Sequence, residues 1–303
     1  MSNPAPKKTF YLQWFVLNGI SLLPLQVLYK FADALFVIFY YVLRYRRKVV
    51  QQNLRRSFPE KDEHELARIE KQFYRNLCDI MVETVKLGYI SEADLQNRVK
   101  IRNLEVMQPF FDRKSPVISL SSHMGNWEWA LTGACVNIPY PVDGIYKPLK
   151  NRFFEAYMRR LRSRFGARLV PMQDTLRDFI RMKNVPRIVA MLSDQTPPKS
   201  EIQYWTTFLN QDSGFYVGVD KLVATFNYPV IFTKVSRIKR GYYEMWMEVL
   251  HDGSTPVPKG SHQITEAFAR RLEQAIQKEP DNYLWSHKRW KHKKPADYTP
   301  DKA

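Results

Sequence analysis

Apolar and aromatic residues crowd the first part of the chain. They run from Phe10 to Leu43 and are densest over 34–43, where the basic run Arg44-Tyr45-Arg46-Arg47-Lys48 cuts them off. A helix that crosses a bilayer needs about 20 consecutive apolar residues. Here Asn18, Pro24, Gln26, Lys30 and Asp33 interrupt the stretch. The pattern fits two interfacial or shallowly inserted helices at least as well as one span. A buried helical hairpin is the alternative. Tryptophan, tyrosine and a basic flank suit a water–lipid boundary.

A second pattern starts after Pro59. Leu66, Ile69, Phe73, Leu77 and Ile80 recur at three and four, one face of a helix that runs to about Leu87 and reads as packing. From about Val99 short apolar runs alternate with helical stretches. Strands are expected over Pro116–Leu120, Val142–Tyr146, Arg187–Leu192, Pro229–Val235 and Tyr243–Leu250, with a short extended piece at Arg168–Pro171. Helices are expected over Asn126–Val136, on the face Phe154, Met158, Leu161 and Phe165, over Asp174–Met182 and Gly214–Phe226, and on the face Ile264, Phe268, Leu272 and Ile276. This alternation predicts an α/β fold, a mixed, mainly parallel central sheet flanked by helices behind the apolar N-terminal segment. No internal repeat is visible. Three regions follow: a membrane-associated segment over 1–48, the α/β domain over 49–292, and a polar, fraying tail over 293–303.

Composition narrows the classes. The chain has 303 residues, 45% hydrophobic and 14% aromatic, enough for a real core and against disorder. The net charge of +17 calls for an anionic partner without saying which. Cys78 and Cys135 form no CxxC pair or disulfide framework and read as buried thiols. No cleavable signal peptide is evident at the polar start, Met1 to Lys8. HExxH, GxxxxGK[ST] and GxGxxG patterns are missing, so no metal or phosphate-loop site is expected.

Candidate chemistry sits at one strand end. After Leu120 come Ser121, Ser122 and His123, then Gly125, then a helix containing Glu128. Five positions do not align two side chains on a regular helix. A loop histidine can still meet Glu128 if the chain turns at Gly125. The carboxylate would then hold one imidazole nitrogen and leave the other free to take a proton from a hydroxyl. The helix N-terminus beyond would offer N–H groups to a developing oxyanion. On spacing alone, a histidine before a helix is more often structural.

Further blocks change that balance. His123-Met124-Gly125-Asn126-Trp127-Glu128 resembles the histidine, four residues, acid motif of the lysophospholipid acyltransferase superfamily, and more closely that of the late acyltransferases of lipid A biosynthesis. Tyr146-Lys147-Pro148-Leu149-Lys150-Asn151 resembles that family's second block, with Arg162-Ser163-Arg164-Phe165-Gly166 at a suitable distance. Ser193-Asp194-Gln195-Thr196-Pro197, Phe208-Leu209, the terminal stretch from Pro280 to Lys291, and Asn53-Leu54 to Phe58-Pro59 continue the match in order. The resemblance spans about residues 20 to 292. It departs at Lys147, where many members carry arginine and its bidentate fork, and at Arg152, where a proline is expected.

The resemblance implies an enzyme. His123 is the expected general base on an acceptor hydroxyl, oriented by Glu128, with direct attack on the thioester of acyl carrier protein or coenzyme A as co-substrate and no cofactor. Asn126, Tyr146, Lys147, Arg164, Asp194 and Gln195 are the expected substrate-binding residues. Asp194 could instead be a helix cap, and Arg159, Arg160, Arg162 and Arg164 a solvated helix face. The basic terminal cluster from His287 to Lys294, interleaved with Trp285 and Trp290, suits a membrane surface or an acidic carrier protein. The implied acceptor is an anionic phosphoglycolipid, a lipid A precursor or another glycolipid. The implied location is the cytoplasmic face of a Gram-negative inner membrane, which the positive-inside tendency of Arg44–Lys48 also favours. Two rivals remain at this level. A basic nucleic-acid-binding module would explain the charge but not the ordered blocks, and a membrane scaffold could have kept the fold and lost the activity.

Overall fold

The computed structural model describes residues 8–299, with side chains from Tyr11 onward. The polar opening before Lys8 and the last four residues of the tail lie outside the described residues. Helix α1 (Lys8–Leu22) stops at Pro24, and α2 (Leu25–Val37) starts behind it and loosens into a π-helical turn, Ile38–Val42. Leu25, Leu28, Ala32 and Phe36 recur at three and four and are buried on α2. The opposite face leaves Phe31, Val37, Tyr41 and Val42 exposed, as Tyr11, Leu12 and Phe15 are on α1. Leu25–Val42 is long and apolar enough to cross a membrane by length and composition. Both early readings therefore meet in one element: one stripe of α2 belongs to the core, and the other faces outward. The hydrophobic core is continuous from Leu25 to Trp285 and does not stop at residue 48.

Two cations of the basic run are engaged inside the molecule. Arg46 Nη1 donates to Ser286 O at 3.0 Å, and Arg47 pairs with Glu70 at 2.7 Å. The run also starts a helix that the polarity of its sequence hid, α3 (Arg47–Ser57). Helix α4 (Glu63–Lys86) is capped by Asp62, whose carboxylate accepts from Glu65 N at 2.7 Å.

The sheet has seven strands. They are β1 (Val99–Ile101), β2 (Val117–Ser121), β3 (Val142–Tyr146), β4 (Arg168–Pro171), β5 (Ile188–Leu192), β8 (Val230–Lys239) and β9 (Tyr242–His251). Their order is β1-β9-β8-β2-β5-β3-β4, and every neighbouring pair is parallel except β8–β9. Central strands buried on both faces read as unbroken apolar runs, which is why Val117–Leu120 and Ile188–Val189 were legible. Helices α5 (Glu92–Arg98), α6 (Gln108–Asp112), α7 (Trp127–Asn137), α8 (Arg152–Ser163), α9 (Thr175–Arg181), α10 (Gly218–Phe226) and α11 (Gln263–Lys278) surround it.

One expected helix was too long. Gly214 belongs to a hairpin of β6 (Tyr204–Phe208) and β7 (Gln211–Phe215), and α10 begins only at Gly218. The two turn residues, Leu209 and Asn210, both have positive φ, +50° and +62°. That geometry closes a two-residue hairpin, but leucine gives no sign of it in the sequence. At the amino end of the parallel strands, Asp143, Arg168, Asp178 and Arg187 form a charge network, with Arg187 bridging Asp143 at 2.7 Å and Asp178 at 2.6 Å.

Candidate active site

Ligand sites in open α/β sheets lie outside the carboxyl ends of the strands. Here two neighbouring strands deliver the chemistry. β2 and β5 pair in a register that sets Ser121 opposite Leu192, and Ser193 N donates to Ser121 O at 3.0 Å. Two residues on from each lie His123 and Asp194. Their side chains meet: His123 Nδ1 is 2.7 Å from Asp194 Oδ1, and the His123 backbone N–H donates to Asp194 Oδ2 at 3.1 Å. Both oxygens of Asp194 thus meet His123, and the carboxylate also has a side-chain hydrogen bond with the buried Tyr283.

Asp194 is fully buried, which pushes its carboxyl up. The charge of His123 and the hydrogen bonds outweigh this and hold it below the usual range. Gln195 Nε2 stands 3.3 Å from His123 Nε2, and the Trp127 ring lies edge-on to the imidazole at 5.0 Å.

The chain then turns. Gly125 has φ +57°, and a Cβ there would sit 3.0 Å from Val235 Cγ1 and Val235 O, so both backbone and space favour glycine. Its N–H donates to Asn282 O, and Met124 bridges Tyr283. Asn126 caps α7: its side-chain oxygen accepts from Trp129 N at 2.9 Å. The amides of Gly125 and Trp129 are therefore taken, and neither is free for an oxyanion.

This turn corrects the expected pair. It carries Glu128 into α7, pointing at α8, where Arg162 holds it through two bonds, Nε–Oε2 at 2.8 Å and Nη2–Oε1 at 2.6 Å. The orienting contact expected of Glu128 is made in the structure by Asp194, 71 positions away. Asn126, expected on substrate, is wholly buried, with its oxygen on Trp129 N and its nitrogen on Glu83. Arg164, also expected on substrate, caps the end of α4 instead: Nη1 donates to Leu87 O and Ile90 O. Its neighbour Arg162 is the one that turns inward. A helix of alternating arginines gave no way to choose, because one face of α8 meets α7 only after packing.

Tyr146 and Lys147 leave β3 level with Leu192 and Ser193, on the same rim as His123. The Tyr146 hydroxyl donates to Glu155 at 2.8 Å, and Lys147 is exposed. The terminal block closes the site from behind. Asn53 donates to Trp285 O at 2.8 Å and His287 O at 3.0 Å, and Trp285 and Arg289 are buried. Arg289 Nη1 donates to Thr196 Oγ1 at 2.9 Å and to Gly214 O at 2.8 Å. Part of the cluster expected at a surface is thus interior, while Lys288, Lys291, Lys293 and Lys294 are exposed. Burial pushes His287 down to about 4. Burial also lifts both thiols, Cys78 and Cys135, to about 12. Among the described residues, no group of three or more His, Cys, Asp or Glu is gathered to hold a metal.

Comparison with known proteins gives the family. The family model described as bacterial lipid A biosynthesis acyltransferase matches residues 4–292. Among curated proteins, the chain is similar to the lipid A biosynthesis palmitoleoyltransferase of Escherichia coli (strain K12), 20% identical over 293 residues, which cover 93% of this chain and 92% of the relative. It is similar to the same extent to the lipid A biosynthesis acyltransferase of Shigella flexneri, at 20% identity and with the same coverage of both chains.

Proposed function

Since this chain belongs to the bacterial lipid A biosynthesis acyltransferase family, and is an acyltransferase, we propose that His123 is its general base, oriented by Asp194, and that it moves an acyl chain from a thioester to a hydroxyl of a lipid A precursor. The observation that carries this reading is the 2.7 Å contact between His123 Nδ1 and Asp194. An ionised Asp194 takes the Nδ1 proton as its hydrogen-bond partner, which leaves the Nε2 lone pair facing outward. Gln195 marks the place an acceptor hydroxyl would occupy.

The acceptor O–H gives its proton to Nε2 as its oxygen attacks the thioester carbonyl. The tetrahedral intermediate collapses, the C–S bond breaks, and the departing thiolate receives the proton from His123. The acceptor hydroxyl is the nucleophile, and neither cysteine offers a thiolate for an acyl-enzyme, because burial raises both thiols. The reaction needs no cofactor beyond its co-substrate, acyl carrier protein or coenzyme A. The net charge of +17 favours an acidic carrier and a phosphorylated acceptor. The exposed apolar face of α1 and α2 favours attachment to a membrane, and the basic run Arg44–Lys48 favours its cytoplasmic face. Nucleic acid has no part in this reading, and another glycolipid acceptor would use the same chemistry.

The test uses purified full-length protein with acyl carrier protein thioester, acyl coenzyme A and a lipid A precursor. His123→Ala is expected to abolish transfer while the fold persists by circular dichroism. Wild-type rates in that variant would overturn the mechanism. A precursor left unacylated by the wild type, with another glycolipid modified instead, would move the acceptor.

A further inference from the structure

Helix α4 carries a stripe of polar residues on its inner side. Asn76, Asp79, Glu83 and Lys86 follow one another at three, four and three, and all are buried. Glu83 is at the centre and has no exposed surface. Its carboxylate gathers hydroxyls and an amide from three separate segments. Tyr29 of α2 donates to Oε1 at 2.9 Å. Asn126 Nδ2 and the Tyr243 hydroxyl of β9 both donate to Oε2 at 2.7 Å. The Glu83 carbonyl accepts from the indole N–H of Trp129 at 2.8 Å.

Asn126 is the residue through which this reaches the site. Its amide has two ends. Glu83 takes the nitrogen, so the oxygen is turned to cap Trp129 N. With Glu83 removed, the amide has no reason to keep that orientation, and the first turn of α7 loses its cap. That turn sits three residues from His123 and carries Glu128 toward Arg162.

We propose that Glu83 is a positioning residue for the catalytic turn, and that its bond to Tyr29 makes the seating of α2 against the domain a determinant of turnover. The inference rests on the reading of His123 as base. The neighbouring contacts run the same way. Lys86 Nζ donates to Ser21 O and Leu23 O in the turn between α1 and α2, at 3.1 and 2.9 Å. Arg240 joins Asp33 of α2 to Asp79, with Nη2 at 2.7 Å and 2.6 Å from the two carboxylates. Asn76 donates to Asp281 O, one residue before the Asn282 carbonyl that holds Gly125. An apolar segment that leaves Phe31, Val37 and Tyr41 exposed on one side is thus hydrogen-bonded on the other to the residue that sets the catalytic turn. Burial raises the Glu83 carboxyl, against the hydrogen bonds of Tyr243 and Asn126, which lower it.

Four variants of the full chain test this: Glu83→Ala, Glu83→Gln, Tyr29→Phe and Tyr243→Phe. Two measurements are made on each. One is kcat and KM for acyl transfer in detergent–lipid micelles. The other is amide exchange by mass spectrometry over residues 121–132. Glutamine can accept from Asn126 and Tyr243 while donating to the Tyr29 hydroxyl, so Glu83→Gln is expected to keep kcat within about twofold. Glu83→Ala is expected to lower kcat at least tenfold with KM little changed, and to speed exchange at Trp129. Tyr29→Phe is expected to lower kcat severalfold, more than Tyr243→Phe, because only Tyr29 ties α2. Unchanged exchange and kcat in Glu83→Ala would overturn the proposal. Should Glu83→Ala fail to fold, Tyr29→Phe decides: wild-type kcat there removes the link to α2. A His123→Ala protein that still transfers would sink the functional reading instead, and leave the exchange comparison standing.

Discussion

At the scale of single residues, the site divides into two hydrogen-bonded pairs that the motif had merged. His123 and Asp194 form one; Glu128 and Arg162 form the other. The two should respond differently to substitution. Asp194→Asn is expected to lower turnover by about 10²–10⁴-fold, the range of general acid–base catalysis, since a neutral amide no longer stabilises the imidazolium or fixes the Nδ1–H tautomer. Glu128→Gln and Arg162→Met should each lower activity through the joint of α7 and α8. Their double variant should cost no more than the worse single, because the pair acts as one unit. Initial rates of the three variants in a double-mutant cycle measure this. A double-variant loss equal to the product of the two single losses would show that Glu128 works independently of Arg162.

At the scale of elements, α1 and α2 have unequal duties. α2 puts Leu25, Leu28, Ala32 and Phe36 into the core and bonds to Glu83 and Arg240. α1 leaves Tyr11, Leu12, Phe15 and Val16 exposed. Removal of residues through Leu22 should therefore shift protein from washed membranes to the soluble fraction while it stays folded. Removal through Leu43 should unfold it, because it strips Leu25, Leu28, Ala32, Phe36 and Tyr40 from the core, with Leu25, Leu28 and Phe36 worth roughly 1.5–3 kcal/mol each. Fractionation and thermal melting of both truncations check this. A folded, soluble protein lacking residues through Leu43 would show that α2 is an appendage. The polar stripe Asn76, Asp79, Glu83, Lys86 was visible at helical spacing. The apolar face of α4 accounts for the helix by itself, so the polar stripe adds no separate signal in the sequence.

At the scale of the whole molecule, stability should fall on the acid side for two separable reasons. Burial pushes Asp178 up, but hydrogen bonds and charges of Arg168 and Arg187 outweigh it and hold the carboxyl well below its usual range. The unfolded chain then takes up this proton first, so the contribution is complete above the ordinary carboxylate range and is lost as pH falls through and below it. His287 is pushed down to about 4 by burial, from an ordinary value of 6.5. Here too the unfolded chain binds the proton first, so stability declines as pH drops from about 6.5 toward 4. Urea unfolding midpoints across pH 4–8 should show this decline, and His287→Gln should flatten its upper part. Asp178→Asn should lower stability at neutral pH by about 3–5 kcal/mol, since it takes one of two carboxylates from a buried Arg187. A midpoint independent of pH from 7 to 5 in the wild type would contradict the assignment to His287.

The sequence by itself determined the class of fold, most element positions and the acyltransferase class, and it put His123 forward as the candidate base. Apolar runs mark strands buried on both faces, helical spacing marks helix faces, and the ordered blocks mark the family. It also brought Asp194, Gln195 and the terminal block forward as site residues. What it could not decide was which acid meets which base. Glu128 lies five positions from His123, and Asp194 lies 71, yet the closer residue in the chain is the one that misses. The reason is the register of β2 on β5, which sets two loop residues face to face, and the Gly125 turn, which sends the next carboxylate toward α8. Pairing across parallel strands is a property of the folded sheet, and no local spacing encodes it.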